Sequence, residues 1–268
     1  MKKIIQENQL AWEQASEYHQ KALGEFYDIS FQKKEFLELT QIEKNYFSKK
    51  NLNTLKVAHL CCNNGKEVLS LAKLGALEAV GFDFNGIVIE EATKRAKLLE
   101  FSNAQFIQSE IGSINTVYNH NFDIVLVNVG TLGWFPSLDY FFQAVARLLK
   151  ENGEVLISDI HPICEILNDD RNEMLSPLEI TSSYFSKQPY FNEVGLDYIG
   201  GEKYQSLKSN WYKFTISELI NSLVKNQLNV CCFDEYSEDP SGVYTALTNQ
   251  EIKLPISFKL IAKKIRLN

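Results

Sequence analysis

The sequence predicts an α/β fold built on a doubly wound, mainly parallel sheet. Five short apolar runs typical of strands alternate with helical patterns over about 110 residues in the middle of the chain. In such a sheet, right-handed crossovers place a ligand at the carboxyl ends of the strands. The 268 residues are 45% hydrophobic and 23% charged, which is typical of a globular protein with a full core.

The core elements follow one another in a regular order. The predicted strands are short apolar runs bounded by turn residues, and they cover Leu55–Cys62, Ala79–Phe84, Ala104–Glu110, Phe122–Gly130 and Glu154–Pro162. Helices are expected between them over Lys66–Ala76, after an N-cap at Asn85, and over Leu138–Gly153. The run Phe122–Gly130 is almost entirely apolar, as expected for a strand that is buried on both faces.

The segments before and after this region do not show the same alternation of strands and helices. Residues 8–23 and 33–50 predict two helices joined by a turn near Tyr27–Ser30. Residues 163–214 contain nine of the 32 aromatic side chains and predict an insertion of short strands and loops. After the insertion, a helix should begin at Thr215, and two strands are expected over 229–236 and 256–264.

We therefore expect one domain over residues 1–268. Its predicted parts, in chain order, are a helical segment over 1–50, a ligand-binding core over 51–162, an insertion over 163–214 and the C-terminal part of the core over 215–268. The helical segment and the insertion are not expected to form an independent fold.

The charge balance and the cysteine usage narrow the function classes. With 27 basic and 34 acidic residues, the net charge of −7 argues against tight binding to nucleic acid. No stretch reaches about 18 apolar residues, so no membrane span is expected, and the first residues lack the apolar run of a secretory signal. The five cysteines occur as Cys61–Cys62, Cys164 and Cys231–Cys232, which favours reduced thiols in a cytoplasmic protein and no metal site.

One strand–turn–helix unit points to a nucleotide ligand. The predicted first strand ends in Asn63–Asn64–Gly65, and such a turn aims helix N-terminal amides at a ligand. Asparagine tolerates a positive φ, so this turn can replace part of a glycine-rich one. Asp83 follows Gly65 by 18 residues, where an acid can accept hydrogen bonds from both ribose hydroxyls. These residues predict adenosine binding, although the single glycine lacks the G-x-G-x-x-G spacing that suits a pyrophosphate.

At these residues the sequence resembles a known family. The segment HLCCNNGKEVLSLAKLGALEAVGFDFN is similar to the pattern HLxCxxGxExLxLAxLGA-VxGxDxS of class I S-adenosylmethionine-dependent methyltransferases that act on small molecules. The resemblance extends over about Trp12–Ile261 and is strongest over His59–Pro162. It implies a Rossmann-like sheet of seven strands with an antiparallel last strand, a helical lid over residues 1–50 and a substrate cap over residues 163–214. It also implies S-adenosylmethionine as the cofactor.

The resemblance further implies roles for individual residues. His59 stands where the family carries an acid, and Cys61 and Asn63 replace two of its glycines. Asp83 would bind the ribose hydroxyls, and Glu110 would receive the adenine amino group. The remaining cofactor contacts, ordered from the adenine to the methionine part, are expected at Phe84, Ile111, Asn128, Val129 and Thr131.

A second set of residues is expected to bind the molecule that accepts the methyl group. His161 follows the fifth predicted strand, and its ordinary pKa of about 6.5 suits a general base if the acceptor carries a proton. Contacts with the methyl acceptor are expected from four aromatic residues, because aromatic side chains suit a flat or apolar small molecule. They are Trp134, Tyr198, Trp211 and Tyr212. The aromatic residues of the insertion could instead supply the interface of a homodimer.

Three other functions fit parts of the same pattern. A nucleotide-dependent oxidoreductase would use the adenosine site for NAD, but it would require the missing glycines. A non-catalytic S-adenosylmethionine-binding protein would explain the altered glycine turn. An RNA or protein methyltransferase is disfavoured by the acidic charge and by the sequence Asn-Val-Gly-Thr after the fourth strand, where an Asn-Pro-Pro-Tyr type of motif would be expected.

Overall fold

The computed structural model describes residues 1–168, 175–192, 196 and 204–265, and these residues form nine strands. The strands, numbered in chain order, are β1 Lys56–Leu60, β2 Glu78–Asp83, β3 Ala104–Gln108, β4 Phe122–Val127, β5 Leu149–Ile160, β6 Tyr190–Asn192, β7 Ser209–Trp211, β8 Leu228–Tyr236 and β9 Ser257–Lys264. Seven of them form the central sheet, whereas β6 and β7 pair with each other in the insertion.

The central sheet has the strand order β3-β2-β1-β4-β5-β9-β8. Strands β1 to β5 run parallel, and β9 pairs antiparallel with both β5 and β8. The predicted doubly wound sheet with an antiparallel last strand is therefore confirmed. Because the order reverses between β1 and β4, the carboxyl ends of these two strands mark the point where a ligand is expected.

Helices cover both faces of this sheet. In chain order they are α1 Lys2–Ser30, α2 Gln41–Phe47, α3 Lys66–Lys73, α4 Gly86–Leu98, α5 Leu138–Leu148, α6 Ile216–Lys225 and the short α7 Thr245–Thr248. One face of the sheet packs against α5 and α6, where Phe141 and Leu219 are fully buried. The other face packs against α2 and α3 through side chains such as Phe47 and Val68.

The two N-terminal helices have other bounds than the sequence predicts. Helix α1 continues through the predicted turn at Tyr27–Ser30, because Tyr27 on this continuation packs with Phe31 against α3 and α4. The second helix is much shorter than expected. It begins only after Thr40, whose side chain and that of Glu43 form a reciprocal capping box.

The predicted end of the helix over Leu138–Gly153 was also wrong. The helix ends at Leu148, and β5 begins at Leu149, which is fully buried and pairs with Phe122 of β4. Asn152 has a φ of 62°, so the irregular start of β5 uses the residue type that best tolerates this conformation after glycine. Burial of Leu149 against β4 outweighs the helical pattern of this segment.

The C-terminal part of the chain matches the sequence prediction. Thr215 caps α6: its Oγ1 accepts the Glu218 amide at 3.2 Å, and the Glu218 carboxylate accepts the Thr215 amide at 3.0 Å. Strands β8 and β9 then join the central sheet beside β5. All five cysteines are free. Among the helices in the described part of the chain, none has the length and apolar character that a membrane crossing requires.

The described part of the insertion is attached to α1 through β7. Asn8 Nδ2 donates to the Asn210 carbonyl at 3.1 Å, and the Asn210 amide donates to Asn8 Oδ1 at 2.7 Å. Both asparagines are buried, so this reciprocal pair satisfies polar groups that would otherwise be costly. The boundaries of the lid and the cap, and the single domain that contains them, stay predictions.

Candidate cofactor-binding site

The turn after β1 has a left-handed backbone at three positions. Cys61, Asn63 and Gly65 have φ values of 56°, 46° and 75°. For residues other than glycine this conformation costs about 1–2 kcal/mol, and asparagine tolerates it best. The sequence predicted this tolerance for Asn63 but gave no reason to expect it at Cys61. Two non-glycine residues therefore adopt the backbone that glycines usually supply in a ligand-binding turn.

Gly65 caps α3 at a point where no side chain fits. A Cβ at this position would lie 2.7 Å from Phe106 Cζ and 2.9 Å from Ala92 Cβ. Gly81 of β2 leaves room for the turn in the same way, because its Cβ would lie 2.6 Å from Cys62 Sγ. The turn thus packs directly against β2, β3 and α4, which fixes the N-terminus of α3.

Asp83 lies at the carboxyl end of β2, beside this turn. One carboxylate oxygen accepts the Asn63 amide and the other accepts the Asn85 amide, both at 2.9 Å. The residue is only 6% exposed. Burial raises the pKa of Asp83 to about 6, although the hydrogen bonds oppose the shift. Since a carboxylate offers about four acceptor positions, each oxygen retains capacity for one further donor.

Phe84 follows Asp83 and is half-buried. Its carbonyl oxygen accepts hydrogen bonds from Gln108 Nε2 at 3.2 Å and from Gln9 Nε2 of α1 at 3.3 Å. Asn85, the N-cap of α4, donates to Ser16 Oγ of α1 at 2.7 Å. Helix α1 therefore lies across the residues that follow β2.

Glu110 follows β3, at the same edge of the sheet as Asp83. Tyr140 Oη donates to both of its carboxylate oxygens at 2.9 Å, and Ser113 Oγ donates to one of them at 3.3 Å. Burial and the nearby carboxylate raise the pKa of Tyr140 to about 12. Ile111 is buried and begins a short 3-10 turn over Ile111–Ser113.

A buried hydrogen-bond chain connects α3 with the ends of β4 and β1. Asn128 Nδ2 donates to Glu67 Oε1 at 3.1 Å, and Asn128 Oδ1 lies 3.0 Å from His59 Nε2. Because Oδ1 can only accept, His59 carries its proton on Nε2. Burial lowers the pKa of His59, so the ring is neutral near pH 7. Its buried Nδ1 is then an acceptor with no partner among the described residues.

Asp159, at the end of β5, holds the segment that follows β4. Its Oδ1 accepts the Gly130 amide at 2.9 Å, and burial raises the pKa of Asp159 to about 7. Gly130 has a φ of 82°, which favours glycine at this turn. Val129 is half-buried and Thr131 is buried, so these predicted contacts lie in a constrained segment.

Arg95 of α4 links α1 to the turn. Its buried guanidinium pairs with Asp28 of α1 at 2.7 Å and with Glu91 at 2.6 Å, and Nη1 donates to the Asn64 carbonyl at 3.3 Å. The guanidinium also lies 5.6 Å from the ring centre of Tyr27. A buried arginine with this many partners fixes the position of α1 against the turn.

All three tryptophans of the chain meet in one cluster. Trp12 of α1 lies 5.3 Å from Trp134, and Trp134 lies 4.9 Å from Trp211 of β7, with near-perpendicular rings in both pairs. The Trp211 indole packs on Gly133, where a Cβ would lie 2.6 Å from Cδ2. Its Nε1 donates to the Glu165 carboxylate at 3.1 Å.

Two further residues, Tyr212 and Tyr198, are predicted to contact the methyl acceptor. The Tyr212 amide donates to the Gly133 carbonyl at 2.7 Å, which ties the insertion to the segment after β4. Tyr198 lies outside the described residues. Trp134, Trp211 and Tyr212 are therefore brought together, and their contact with an acceptor stays a prediction.

His161 has partners on both ring nitrogens. Nδ1 accepts the Ile163 amide at 3.1 Å, and Nε2 lies 3.1 Å from the Glu235 carboxylate. Burial lowers the pKa of His161, although Glu235 opposes the shift. The neutral ring with its proton on Nε2 satisfies both contacts, so neither nitrogen is free for a substrate in this arrangement. The role of His161 as a general base stays a prediction.

Carboxylates dominate the strand ends around the turn. Four acidic residues lie at or just beyond the ends of the parallel strands or in the first turn of α3, namely Glu67, Asp83, Glu110 and Asp159. The nearby cations Lys66 and Arg95 are already paired with carboxylates. This charge distribution favours a cationic ligand over a pyrophosphate. Within the described ranges, no group of three or more His, Cys, Asp or Glu side chains is arranged to hold a metal ion.

The strand order, the tight turn after β1 and the acid at the carboxyl end of β2 are together those of the class I S-adenosylmethionine-dependent methyltransferases. A family model described as a methyltransferase domain matches residues 48–214, and the chain belongs to this family. The cofactor of this class is S-adenosylmethionine.

Solved structures show the same fold. A protein from Listeria monocytogenes, assigned as an S-adenosylmethionine-dependent methyltransferase, is 20% identical with a TM-score of 0.62, and the match covers 84% of this chain and 98% of that one. An S-adenosylmethionine-dependent methyltransferase from Methanosarcina mazei is 19% identical with a TM-score of 0.59, and the match covers 86% and 100% of the two chains. At this level of identity the likeness concerns the fold.

A curated relative carries a different name. Over 189 residues the chain is 28% identical to the 2,3-bisphosphoglycerate-independent phosphoglycerate mutase of Aliarcobacter butzleri, a match that covers 59% of this chain and 38% of that protein. The chain thus spans about two fifths of that relative's length, and most of the relative has no counterpart in the match.

Sequence reasoning missed several residues that shape the site. Glu91 and Arg95 stand four residues apart on α4, and this spacing was the one local signal of an ion pair. Tyr140 and Glu67 gave no such signal, because their partners Glu110 and Asn128 are remote in sequence.

Proposed function

We propose that this chain transfers the methyl group of S-adenosylmethionine to a small-molecule acceptor. The observation that carries the proposal is the pair of carboxylates, Asp83 and Glu110, at adjacent strand ends beside a left-handed turn. Asp83 retains acceptor capacity for two ribose hydroxyls, and Glu110 retains it for an amino group. The acidic surroundings suit a cofactor with a sulfonium and an ammonium group and would repel the pyrophosphate of NAD.

Other residues fit the methionine part of this cofactor. The buried Nδ1 of His59, which has no partner in the described part of the chain, complements an N–H donor such as an ammonium group. When bound, the cofactor supplies an activated methyl group for an in-line displacement. The protein's contribution to such a displacement is chiefly orientation, which can supply about 7–11 kcal/mol. Asp159 contributes to this orientation by holding the segment at Gly130, and α1 contributes to it by covering the strand ends.

We further propose that the methyl acceptor is a small molecule. The cluster of Trp12, Trp134 and Trp211 between α1 and the insertion supports a flat or apolar acceptor. The net charge of −7 disfavours RNA. If the acceptor carries a proton, His161 is the proposed base, and its Nδ1 would have to exchange the Ile163 amide for that proton. The free cysteines support a reducing compartment such as the cytoplasm.

Calorimetric titration tests the cofactor part of this proposal. The wild-type protein should bind S-adenosylhomocysteine and give no saturable heat with NADH, whereas binding of NADH alone would favour an oxidoreductase. The acceptor part is tested by incubation with S-adenosylmethionine labelled in the methyl group and pools of phenols, amines and carboxylic acids, with RNA and protein pools as controls. Label is expected in a small-molecule pool. Label only in RNA or protein would overturn the small-molecule acceptor, and cofactor binding without any methyl release would favour a non-catalytic binding protein.

A further inference from the structure

We propose that Tyr140 is a positioning residue that orients the Glu110 carboxylate for recognition of a purine 6-amino group. This inference rests on the proposed function, because it takes Glu110 to be the residue that meets the adenine. It adds a residue to the site that selects the base of the cofactor.

The contact between the two side chains is symmetric. Tyr140 lies in the first turn of α5, and its amide donates to the N-cap residue Ser137 at 3.4 Å. Its Oη lies 2.9 Å from each of the two Glu110 oxygens. A hydroxyl shared between both oxygens restrains rotation of the carboxylate, which a hydrogen bond to one oxygen would permit.

The backbone leaves room for this hydroxyl at Gly112. A Cβ at this position would lie 2.5 Å from Tyr140 Cζ and 2.9 Å from Cε2. The Tyr140 hydroxyl is thus fixed between the Gly112 backbone and the Glu110 carboxylate, so its own position is well determined.

The chemistry of the pair follows from this arrangement. With its pKa raised to about 12, the phenol stays protonated near pH 7 and acts as a donor to Glu110. The oriented carboxylate keeps further lone pairs for a ligand donor. A 6-amino purine offers N–H donors, whereas a 6-oxo purine presents an oxygen that the carboxylate repels. Tyr140 should therefore increase the preference for adenosine over inosine ligands.

Titration of two ligands into three proteins tests this role. The ligands are S-adenosylhomocysteine and its 6-oxo counterpart, S-inosylhomocysteine, and the proteins are the wild type, Tyr140→Phe and Tyr46→Phe. Tyr46 is a matched control, because it donates to Glu154 at 2.6 Å and lies outside the site. Tyr140→Phe should weaken S-adenosylhomocysteine binding about tenfold, the usual effect of losing one charge-assisted hydrogen bond, and leave the 6-oxo ligand nearly unchanged.

The outcomes distinguish a failure of the role of Tyr140 from a failure of the proposed function. An equal loss for both ligands would make Tyr140 merely structural, and no loss for either would leave it without a role; both results overturn the inference. If the folded wild type binds neither ligand, the proposed function fails before any variant is considered. Gly112→Ala gives a second route to the same test, because its Cβ displaces the Tyr140 hydroxyl. It should reduce the preference between the two ligands in the same way, and an unchanged preference would contradict the inference even if Tyr140→Phe did not fold.

Discussion

Gly65→Ala tests whether steric fit fixes the turn that carries the candidate site. The residue has a φ of 75°, and alanine in this conformation costs about 1–2 kcal/mol. The added Cβ would also lie 2.7 Å from Phe106 Cζ and 2.9 Å from Ala92 Cβ, an overpacking that costs about 1–3 kcal/mol. The free energy of unfolding, measured by urea titration, should therefore fall by about 2–5 kcal/mol.

Gly75→Ala is the matched control for backbone strain. Gly75 has a φ of 88°, and a Cβ there would meet no atom within 4 Å. Gly75→Ala should therefore lose only the cost of a left-handed backbone, about 1–2 kcal/mol of the free energy of unfolding. The difference between the two variants isolates the collision with Phe106 and Ala92. Phe106→Leu in the Gly65→Ala background should recover part of that difference. Equal losses in Gly65→Ala and Gly75→Ala would refute the steric explanation.

Further substitutions at Asp83, Glu43 and the Arg95–Glu91 pair probe charges in and around the site. Asp83→Ala should weaken S-adenosylhomocysteine binding at least about tenfold in calorimetry, because two hydroxyls lose a charged acceptor. Wild-type affinity should also fall as the pH drops through about 6 and Asp83 takes up a proton, so unchanged affinity in both experiments would leave Asp83 only a structural role. Glu43 is buried, and its pKa is raised from 4.5 to about 7, so the folded state loses stability as the pH rises from about 4.5 to about 7, where the unfolded chain ionises and the folded protein does not. At pH 8, Glu43→Gln should therefore raise the free energy of unfolding, measured by urea titration, by about 3 kcal/mol more than it does at pH 4. The same effect of the substitution at both pH values would contradict this explanation. Arg95→Met leaves the buried Glu91 carboxylate without its cation and should cost about 3 kcal/mol in the same assay. Adding Glu91→Gln should recover part of this loss, and no recovery would argue against a stabilising pair.

The sequence predicts those features of the fold that depend on local patterns. Short runs rich in strand-forming residues placed the strands of the central sheet, and in the interior parallel strands these runs are almost entirely apolar because both faces are buried. The capping box at Thr215 depends on two residues three positions apart, so it too was predicted correctly. Asp83 and Gly65 were singled out because a strand–turn–helix unit and the following strand end are close in sequence.

Other features depend on contacts between distant segments, which no local pattern reveals. The helix predicted to reach Gly153 gives way to β5 because Leu149 is buried against Phe122. The hydroxyl of Tyr140 meets Glu110 only through the packing of α5 beside the end of β3. The Nδ1 of His59 likewise becomes an acceptor, without a partner among the residues that the structure describes, because a hydrogen-bond chain through Asn128 places the proton on Nε2.

A crystal structure of the protein with S-adenosylhomocysteine would test the central claim most directly. We expect both ribose hydroxyls within hydrogen-bond distance of the Asp83 carboxylate and the adenine amino group within hydrogen-bond distance of Glu110. The homocysteine part should extend toward His59 and the segment at Gly130. A ligand bound away from these strand ends, or one with its adenine and homocysteine ends exchanged, would contradict the proposed site.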